Sequence, residues 1–533
     1  MKKILTAIIL GLFIGSLGAK EKEDPVVMTV AGKDIPLSEF LFLARKDTTV
    51  NLLDKKSLAN WVELFTNFKL KVADAESLRI QESMGFSDEL DSYKAQLRAS
   101  YLSDKEGEAE VMRKVYERGN DIVSVSHIVF LFNKDKVTSK DTVPVYNEAN
   151  KAYQRILAGE DFEKVAQELA ADSAAVFEKV DYVFPLQALK SFEDAVFSLQ
   201  KVGEITAPVR TDMGFHIIRL DRRFPNPGLL KVAHILVMPE EDPLDPHDND
   251  DTTLYRKATE LYQRAKNGED FGYLALMESS DRKTGNERGV LPYFGLGEMV
   301  KPFEQAAFAL KDTGDITEPI KTRYGYHIIK LLDRKPRPPF EEMESSIHQV
   351  MEKGERNFEL FKSFEDKEKE KFHYVFYPDA YADFQKLCDD YHPSGKDFIE
   401  QAAPLEKPLL ILNDTMFYQH EFTEYLRRFP FSTKVYAGDF LYDIYRLFVR
   451  DILTAYEKFN LSAMHPEYDQ LVKEYYDGIL LFDISSRRVW DKPVEEQEQL
   501  EAEWMKEIKE KYPVTINQKV LKNLKKYIKK MDK

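Results

Sequence analysis

Val232-Ala233-His234-Ile235-Leu236-Val237 and Gly325-Tyr326-His327-Ile328-Ile329 are the two ends of a pattern that the chain carries twice. The earlier copy runs from Val125-Ser126-His127-Ile128-Val129 to Gly214-Phe215-His216-Ile217-Ile218. Between these ends the landmarks keep their order. Gly159-Glu160-Asp161-Phe162 returns as Gly268-Glu269-Asp270-Phe271, and Phe192-Glu193-Asp194-Ala195-Val196-Phe197 returns as Phe303-Glu304-Gln305-Ala306-Ala307-Phe308. Gly203-Glu204-Ile205-Thr206-Ala207-Pro208-Val209 returns as Gly314-Asp315-Ile316-Thr317-Glu318-Pro319-Ile320. The paired histidines stand 89 residues apart in one copy and 93 in the other. Such a recurrence is an internal duplication of a unit of about 100 residues, the size of one domain.

Each copy reads as strand, loop, two helices, irregular loop, helix, strand, turn, strand. In the second copy the helices are predicted at residues 254–267, 273–278 and 303–310, and strands at 230–238 and 326–332. That mixture is α+β with a small sheet flanked by helices. Pro225-Asn226-Pro227-Gly228 is a linker signal between the copies, which occupy residues 122–223 and 229–334.

Upstream, residues 24–120 read as mainly helical after a hairpin that turns at Ala31-Gly32-Lys33-Asp34. Trp61, Leu64, Phe65 and Phe68 recur at helical spacing, and a further helix is predicted from Phe86 with Ser87 as its N-cap. Downstream, residues 336–533 read as a mainly helical module. Leu412 stands to Glu421-Phe422 as Val30 stands to Glu39-Phe40, and Leu447-Phe448 echoes Leu64-Phe65. The module reads either as an echo of the N-terminal one or as a chance likeness between helical segments. In the tail, Leu521, Leu524 and Ile528 stand among lysines. That pattern fits a docked helix with a solvated lysine face, or a helix that binds anionic lipid.

Composition narrows the function classes. The chain of 533 residues carries a net charge of −16, which excludes nucleic acid as a general partner because phosphate binding needs a basic face. One cysteine, Cys388, excludes disulfides within the chain and a cysteine metal cluster. At the N-terminus, Lys2-Lys3 precede an apolar run from Ile4 to Phe13, then the small residues Gly15, Ser16, Gly18 and Ala19. This is the pattern of a secretory signal peptide over residues 1–19, with a mature chain beginning near Ala19 or Lys20 and no transmembrane segment in it.

The duplicated unit resembles the parvulin family of peptidyl-prolyl cis-trans isomerases. The resemblance rests on the His-Ile-Leu opening, the Gly-Glu-Asp-Phe helix entry, the Met…Phe-Glu segment and the Gly-Tyr-His-Ile-Ile ending. It implies two tandem parvulin-like domains between helical modules of the kind found in periplasmic chaperones of that family. In the second copy it implies a catalytic group of His234, His327 and Asp281, with the two histidines on adjacent strands. It also implies that Leu291, Met299 and Phe303 wall a pocket for the proline ring and that Thr322 supports the histidine pair. The reaction makes and breaks no bond, so neither metal nor cofactor is implied. The barrier to rotation about the X-Pro bond is roughly 20 kcal/mol, and a desolvated pocket that favours the twisted amide lowers it.

Two departures bear on activity. Where the family carries Gly-Gly-Asp-Leu-Gly, the second copy has Arg288-Gly289-Val290-Leu291-Pro292, and loss of an acid and a glycine there is expected to alter the turn. The first copy keeps His127, His216, Asp172 and Phe192, but Glu178-Lys179-Val180-Asp181-Tyr182 replaces the glycine-rich turn and Ala188 replaces the pocket methionine. It is expected to be a degenerate site. The acidic stretch from Pro239 to Asp251 offers no cationic fork for a phosphate before proline.

The resulting expectation is a periplasmic isomerase and chaperone acting on unfolded or nascent exported polypeptides, outer-membrane proteins in particular. The alternatives are a non-catalytic holdase and an envelope scaffold with inert parvulin folds.

Overall fold

The computed structural model describes residues 24–239, 251–431 and 435–531. The leader expected at residues 1–19 and positions 240–250 of the acidic stretch lie outside them.

The chain begins with a hairpin, β1 (Val26–Val30) and β2 (Lys33–Pro36). Helices Leu37–Lys46, Lys55–Ser77, Met84–Tyr101 and Lys105–Arg118 follow. The third of these starts earlier than its sequence suggests. Ser83, not Ser87, is its N-cap and accepts the Phe86 N–H at 3.3 Å.

Both copies fold as small antiparallel sheets with helices on either face. The first comprises β3 (Asp121–Leu131), β4 (Val176–Val183), β5 (Val209–Arg210) and β6 (Gly214–Pro225), in the order β4-β3-β6-β5. The second comprises β7 (Leu229–Val237), β8 (Ile320–Thr322) and β9 (Gly325–Lys335), in the order β7-β9-β8. Single bridges from Leu230 to Phe294 and from Ala233 to Val290 stand where β4 stands in the first copy. Its helices are Asp251–Lys266, Phe271–Glu278, the short Arg282–Gly285, and Lys301–Ala309. Period-two alternation sorts the strands between two cores. Ala233, Ile235, Val237 and Ile328 face the first two helices, whereas Leu230, Val232, Ile329 and Leu331 face Lys301–Ala309.

After β9, helix Phe340–Lys353 packs on Lys105–Arg118 through Phe340, Ile347 and Met351 against Met112 and Val115. A separate core then forms around β10 (Val375–Phe376), the hairpin β11 (Pro408–Leu412) and β12 (Thr415–Tyr418), helix Gln419–Leu426 and helix Ala437–Met464. Hairpin, short helix and long helix follow here in the order seen from Val26 to Ser77. Phe422 and Phe448 are buried in it as Phe40 and Phe65 are in the N-terminal core.

Residues 336–533, expected as one module, are divided among three cores, the first of them shared with helix Lys105–Arg118. Helices Pro466–Ser485, Val494–Lys511 and Leu524–Met531 return to the N-terminal module, where Leu480, Trp504, Ile508, Val520 and Leu524 share a core with Phe40, Phe65 and Phe86. Strand β13 (Val514–Ile516) pairs antiparallel with β1, whose outer edge would otherwise carry unpaired backbone groups. Asp74, fully buried on helix Lys55–Ser77, accepts from Trp504 Nε1 at 3.0 Å, Arg488 at 3.1 Å, Lys511 at 3.2 Å and the Tyr512 hydroxyl at 3.1 Å. The tail helix is docked, with Leu524 buried and Lys525 and Lys526 exposed. Among the described residues no helix is long and apolar enough to cross a membrane.

Candidate functional site

In the second copy, His234 lies opposite Ile329, and His327 lies opposite Leu236. The histidines are therefore diagonal neighbours on one face of the sheet, not directly opposed. They share the face packed by helix Lys301–Ala309, and Nδ1 of His234 stands 3.3 Å from Nδ1 of His327. Close approach of the strands explains the glycine two positions before His327. Gly325 has φ 139°, and a Cβ there would stand 2.3 Å from the carbonyl oxygen of Val237.

Asp281 reaches this pair because the end of helix Phe271–Glu278 is tied to β7. The Ser280 N–H donates to the Leu236 carbonyl at 2.7 Å, and the Leu236 N–H donates to Ser279 Oγ at 3.1 Å. Asp281 Oδ2 then stands 3.1 Å from His234 Nε2 and accepts the Thr284 hydroxyl at 2.6 Å. On the other side, Thr322 Oγ1 is 3.0 Å from His327 Nε2 and accepts the Tyr324 N–H at 3.1 Å. An ionised carboxylate only accepts, so His234 Nε2 carries the proton that faces Asp281. Nδ1 of His234 is then the acceptor for Nδ1–H of His327, and Nε2 of His327 accepts the Thr322 hydroxyl. Asp281 thereby sets the direction of the whole chain.

Burial keeps the pair neutral. It lowers His234, against a raising effect of the Asp281 charge, and it takes His327, helped by His234, down to about 4. Burial would raise the Asp281 carboxyl, but the Thr284 hydroxyl and N–H and the His234 ring hold it below the usual carboxylate range. Beside this polar row stands an apolar wall. The Phe303 ring is buried and meets His234 and His327 edge-on, at centroid distances of 5.7 and 5.3 Å. Leu291 and Met299 pack in the same cluster, with the buried Phe294 behind Phe303 at 6.2 Å. The altered turn survives the loss of a glycine. Arg288 takes a left-handed conformation, φ 62°, and Gly289 beside it, φ 77°, brings its carbonyl to the His234 N–H at 2.8 Å.

The first copy repeats part of this arrangement. His127 and His216 approach through their Nδ1 atoms at 3.3 Å, Phe192 meets both rings, and Thr211 Oγ1 stands 2.8 Å from His216 Nε2. Burial lowers His127 and, with the charge of His127, takes His216 to about 3. Asp172 is not part of it. That residue sits exposed at the end of helix Phe162–Ala171, and the carboxylate near His127 is Glu178 on the facing strand β4, at 3.4 Å. Glu178 is more than half exposed, so it polarises the histidine pair less than Asp281 does.

The mouths of the two sites also differ. In the first copy the turn around Thr211 is packed against the start of helix Ala437–Met464: Arg210 pairs with Asp439 at 2.5 Å and stacks on Tyr436 at 3.9 Å, and Asp212 accepts the Val435 N–H at 3.3 Å. In the second copy the matching residues Lys321 and Arg323 are exposed, and Lys321 pairs with Asp251 of its own domain at 2.5 Å. Sequence reasoning overlooked Thr284, Phe294 and Thr211. Of these, Thr211 had a signal, since it precedes His216 by five positions as Thr322 precedes His327.

Residues 127–222 and 234–333 each match the family model of Rotamase, the PPIC-type PPIase domain. Over 123 residues, 23% of this chain and 38% of the relative, the protein is 40% identical to the foldase protein PrsA 3 of Bacillus anthracis. Over 291 residues, 54% of this chain and 59% of the relative, it is 28% identical to the chaperone SurA of Methylococcus capsulatus. It thus spans less than two thirds of either protein. Among solved structures, NmPin, the parvulin of Nitrosopumilus maritimus, is 39% identical over 20% of this chain and 97% of its own, with a TM-score of 0.16.

Proposed function

Both repeats belong to the PPIC-type peptidyl-prolyl isomerase domain family, and from that premise we propose that this chain is an exported isomerase and chaperone whose catalysis resides in the second repeat. One observation carries the reading. The ordered row Thr322–His327–His234–Asp281 lies against the Phe303 wall, and the turn at its mouth is exposed. The polar row would adjust to the changed electron density of a twisted amide, while Phe303, Met299 and Leu291 hold the proline ring away from water. The rings are neutral at pH 7, so the only charge in the row is that of Asp281 at its end. The first repeat, with a half-exposed acid and a covered mouth, serves as a structural and binding module.

The chaperone half of the proposal draws on the N-terminal module. Leu43, Trp61, Leu64 and Phe68 line a groove there beside Lys46 and Glu474, with Leu64 61% exposed. Exposed apolar surface of this kind suits unfolded segments that would otherwise aggregate. The leader pattern supports export to the periplasm, with unfolded outer-membrane proteins as the clients.

The test is isomerisation of a proline peptide by the full chain and by its Phe303→Ala and Phe192→Ala variants, each first shown to be folded. Loss with Phe303→Ala and retention with Phe192→Ala is expected; the opposite pattern moves catalysis to the first repeat. Suppression of client aggregation by a chain that leaves the peptide unchanged would favour the holdase reading.

A further inference from the structure

The segment of the first repeat that departs furthest from its family pattern, Glu178 to Tyr182, meets its own site through Glu178 but turns away from it at its end. Asp181 and Tyr182, near the end of edge strand β4, and Phe184 just beyond it, reach the second repeat. There they meet residues 297–304, which carry Met299 and Phe303. Lys301 Nζ contacts both carboxylate oxygens of Asp181 at 2.9 Å. Gly297 has φ 85°, and the place of a Cβ there is 3.2 Å from the Phe184 ring and 3.8 Å from the Tyr182 ring. Glu304, next to Phe303 and 1% exposed, accepts the Gly297 N–H at 2.5 Å through Oε2. The Tyr182 ring that flanks this loop comes from outside the domain, and its hydroxyl is pushed up to about 12 by burial and by the nearby Glu304.

The same position in the first repeat shows that this is a built joint. Glu193, next to Phe192 and fully buried, accepts the N–H of Leu186, seven positions earlier, just as Glu304 does from Gly297. Its remaining contacts also come from outside the domain, from Arg118 at 3.0 Å and Arg356 at 2.8 Å. In each repeat a buried glutamate closes the loop before the pocket helix, and groups from elsewhere in the chain meet that glutamate in the first repeat and the closed loop in the second. A buried carboxylate deprived of a partner is strongly unfavourable, so the joint resists opening.

We infer that the first repeat is a positioning domain for the second: Asp181, Tyr182 and Phe184 clamp residues 297–304 and so hold Met299 and Phe303 in their proline-gripping geometry. The inference rests on the assignment of catalysis to the second repeat. It explains why the first repeat lost its glycine-rich turn, since Asp181 and Tyr182 occupy it. Misplacement of a binding group by about 1 Å can cost on the order of a hundredfold in rate, so a clamp of this kind controls activity from outside the site.

The test uses the full chain with Tyr182→Phe, Asp181→Lys and the charge swap Asp181→Lys/Lys301→Asp, read by isomerisation kinetics and by hydrogen exchange of residues 295–304. The expected result for Tyr182→Phe, which removes the hydroxyl beside Glu304, is a KM raised a few-fold, with kcat less affected and the unfolding transition of the chain unchanged. Exchange of the Gly297 amide should quicken. Asp181→Lys should act in the same direction, and the swap should restore both readouts. Unchanged kinetics and unchanged exchange in Tyr182→Phe and Asp181→Lys would overturn the clamp, as would a swap that restores neither. Should the unsubstituted chain prove inactive, the catalytic assignment fails on its own, and the exchange of residues 295–304 still decides the clamp.

Discussion

Acidification is the perturbation that tests the histidine row most directly. An imidazole in an unfolded chain titrates near 6.5, whereas His327 in the fold titrates at about 4, chiefly because it is buried and secondarily because His234 stands beside it. Between those values the unfolded chain binds a proton that the folded chain refuses, so stability falls as pH drops. The contribution is present in full above pH 6.5 and is lost as pH falls to about 4. A gap of about two and a half pH units corresponds to ~3 kcal/mol. His327 is 5% exposed, so little of this is screened by solvent. The measurement is a titration of Cε1-labelled histidines by NMR on the full chain, with His327 assigned through His327→Gln. Its resonance should stay in the neutral position down to pH 5, and isomerase activity should be flat from pH 5.5 to 8. Asp281→Asn should move the His234 midpoint further down, because the Asp281 charge raises it. A His327 midpoint at or above 6, or an upward move of His234 in Asp281→Asn, would refute the reasoning.

Thr322→Val keeps the shape of the side chain but leaves His327 Nε2 and the Tyr324 N–H without their partner. The cost should be about 1–3 kcal/mol in denaturant unfolding of the second repeat, with reduced kcat/KM; an unchanged unfolding midpoint would show that water replaces the hydroxyl. Asp74→Ala strands the buried Trp504 N–H and takes one partner from Arg488 and Lys511, which keep Glu507 and Ser77. A loss of about 1–3 kcal/mol in urea unfolding followed by tryptophan emission is expected for the unsatisfied buried N–H, and a loss below ~0.5 kcal/mol would show that the terminal helices dock without it. Peptides with Ala or Lys before proline should turn over faster than those with Glu or phosphoserine at low salt, because the Pro239–Asp251 stretch is acidic. The reverse order would identify a cationic subsite.

Much of the site was legible in the sequence because it was written twice. His234 and His327 recur as His127 and His216, and Phe303 recurs as Phe192, so each position could be checked against its copy. Asp281 is read from Ser280-Asp281 beside the turn, and the structure brings it to His234. Asp172 misled because an acid in a loop was matched by its place along the chain. The carboxylate that meets His127 comes instead from β4, through cross-strand register that no local pattern encodes. Thr284 was passed over for a related reason. A threonine three positions past an aspartate reads as a helix first turn, and only the fold of that turn onto β7 brings its hydroxyl to 2.9 Å from His234 Nε2.

The sequence by itself determined the duplication, the α+β class of each repeat and the identity of the histidine row. Those depend on period-two and helical spacing and on glycines at close approaches, all of which act within a few residues or repeat visibly. It determined that the terminal segments are amphipathic helices, but not what they bury against. An apolar stripe specifies that a face leaves water and is indifferent to which core receives it. Only the tertiary structure decided that β13 closes the edge of β1, that Asp74 gathers groups more than 400 positions away, and that Asp181 of one repeat pairs with Lys301 of the other. Such contacts depend on shape and on the pairing of single buried polar groups, which become partners only when the chain has already brought them together.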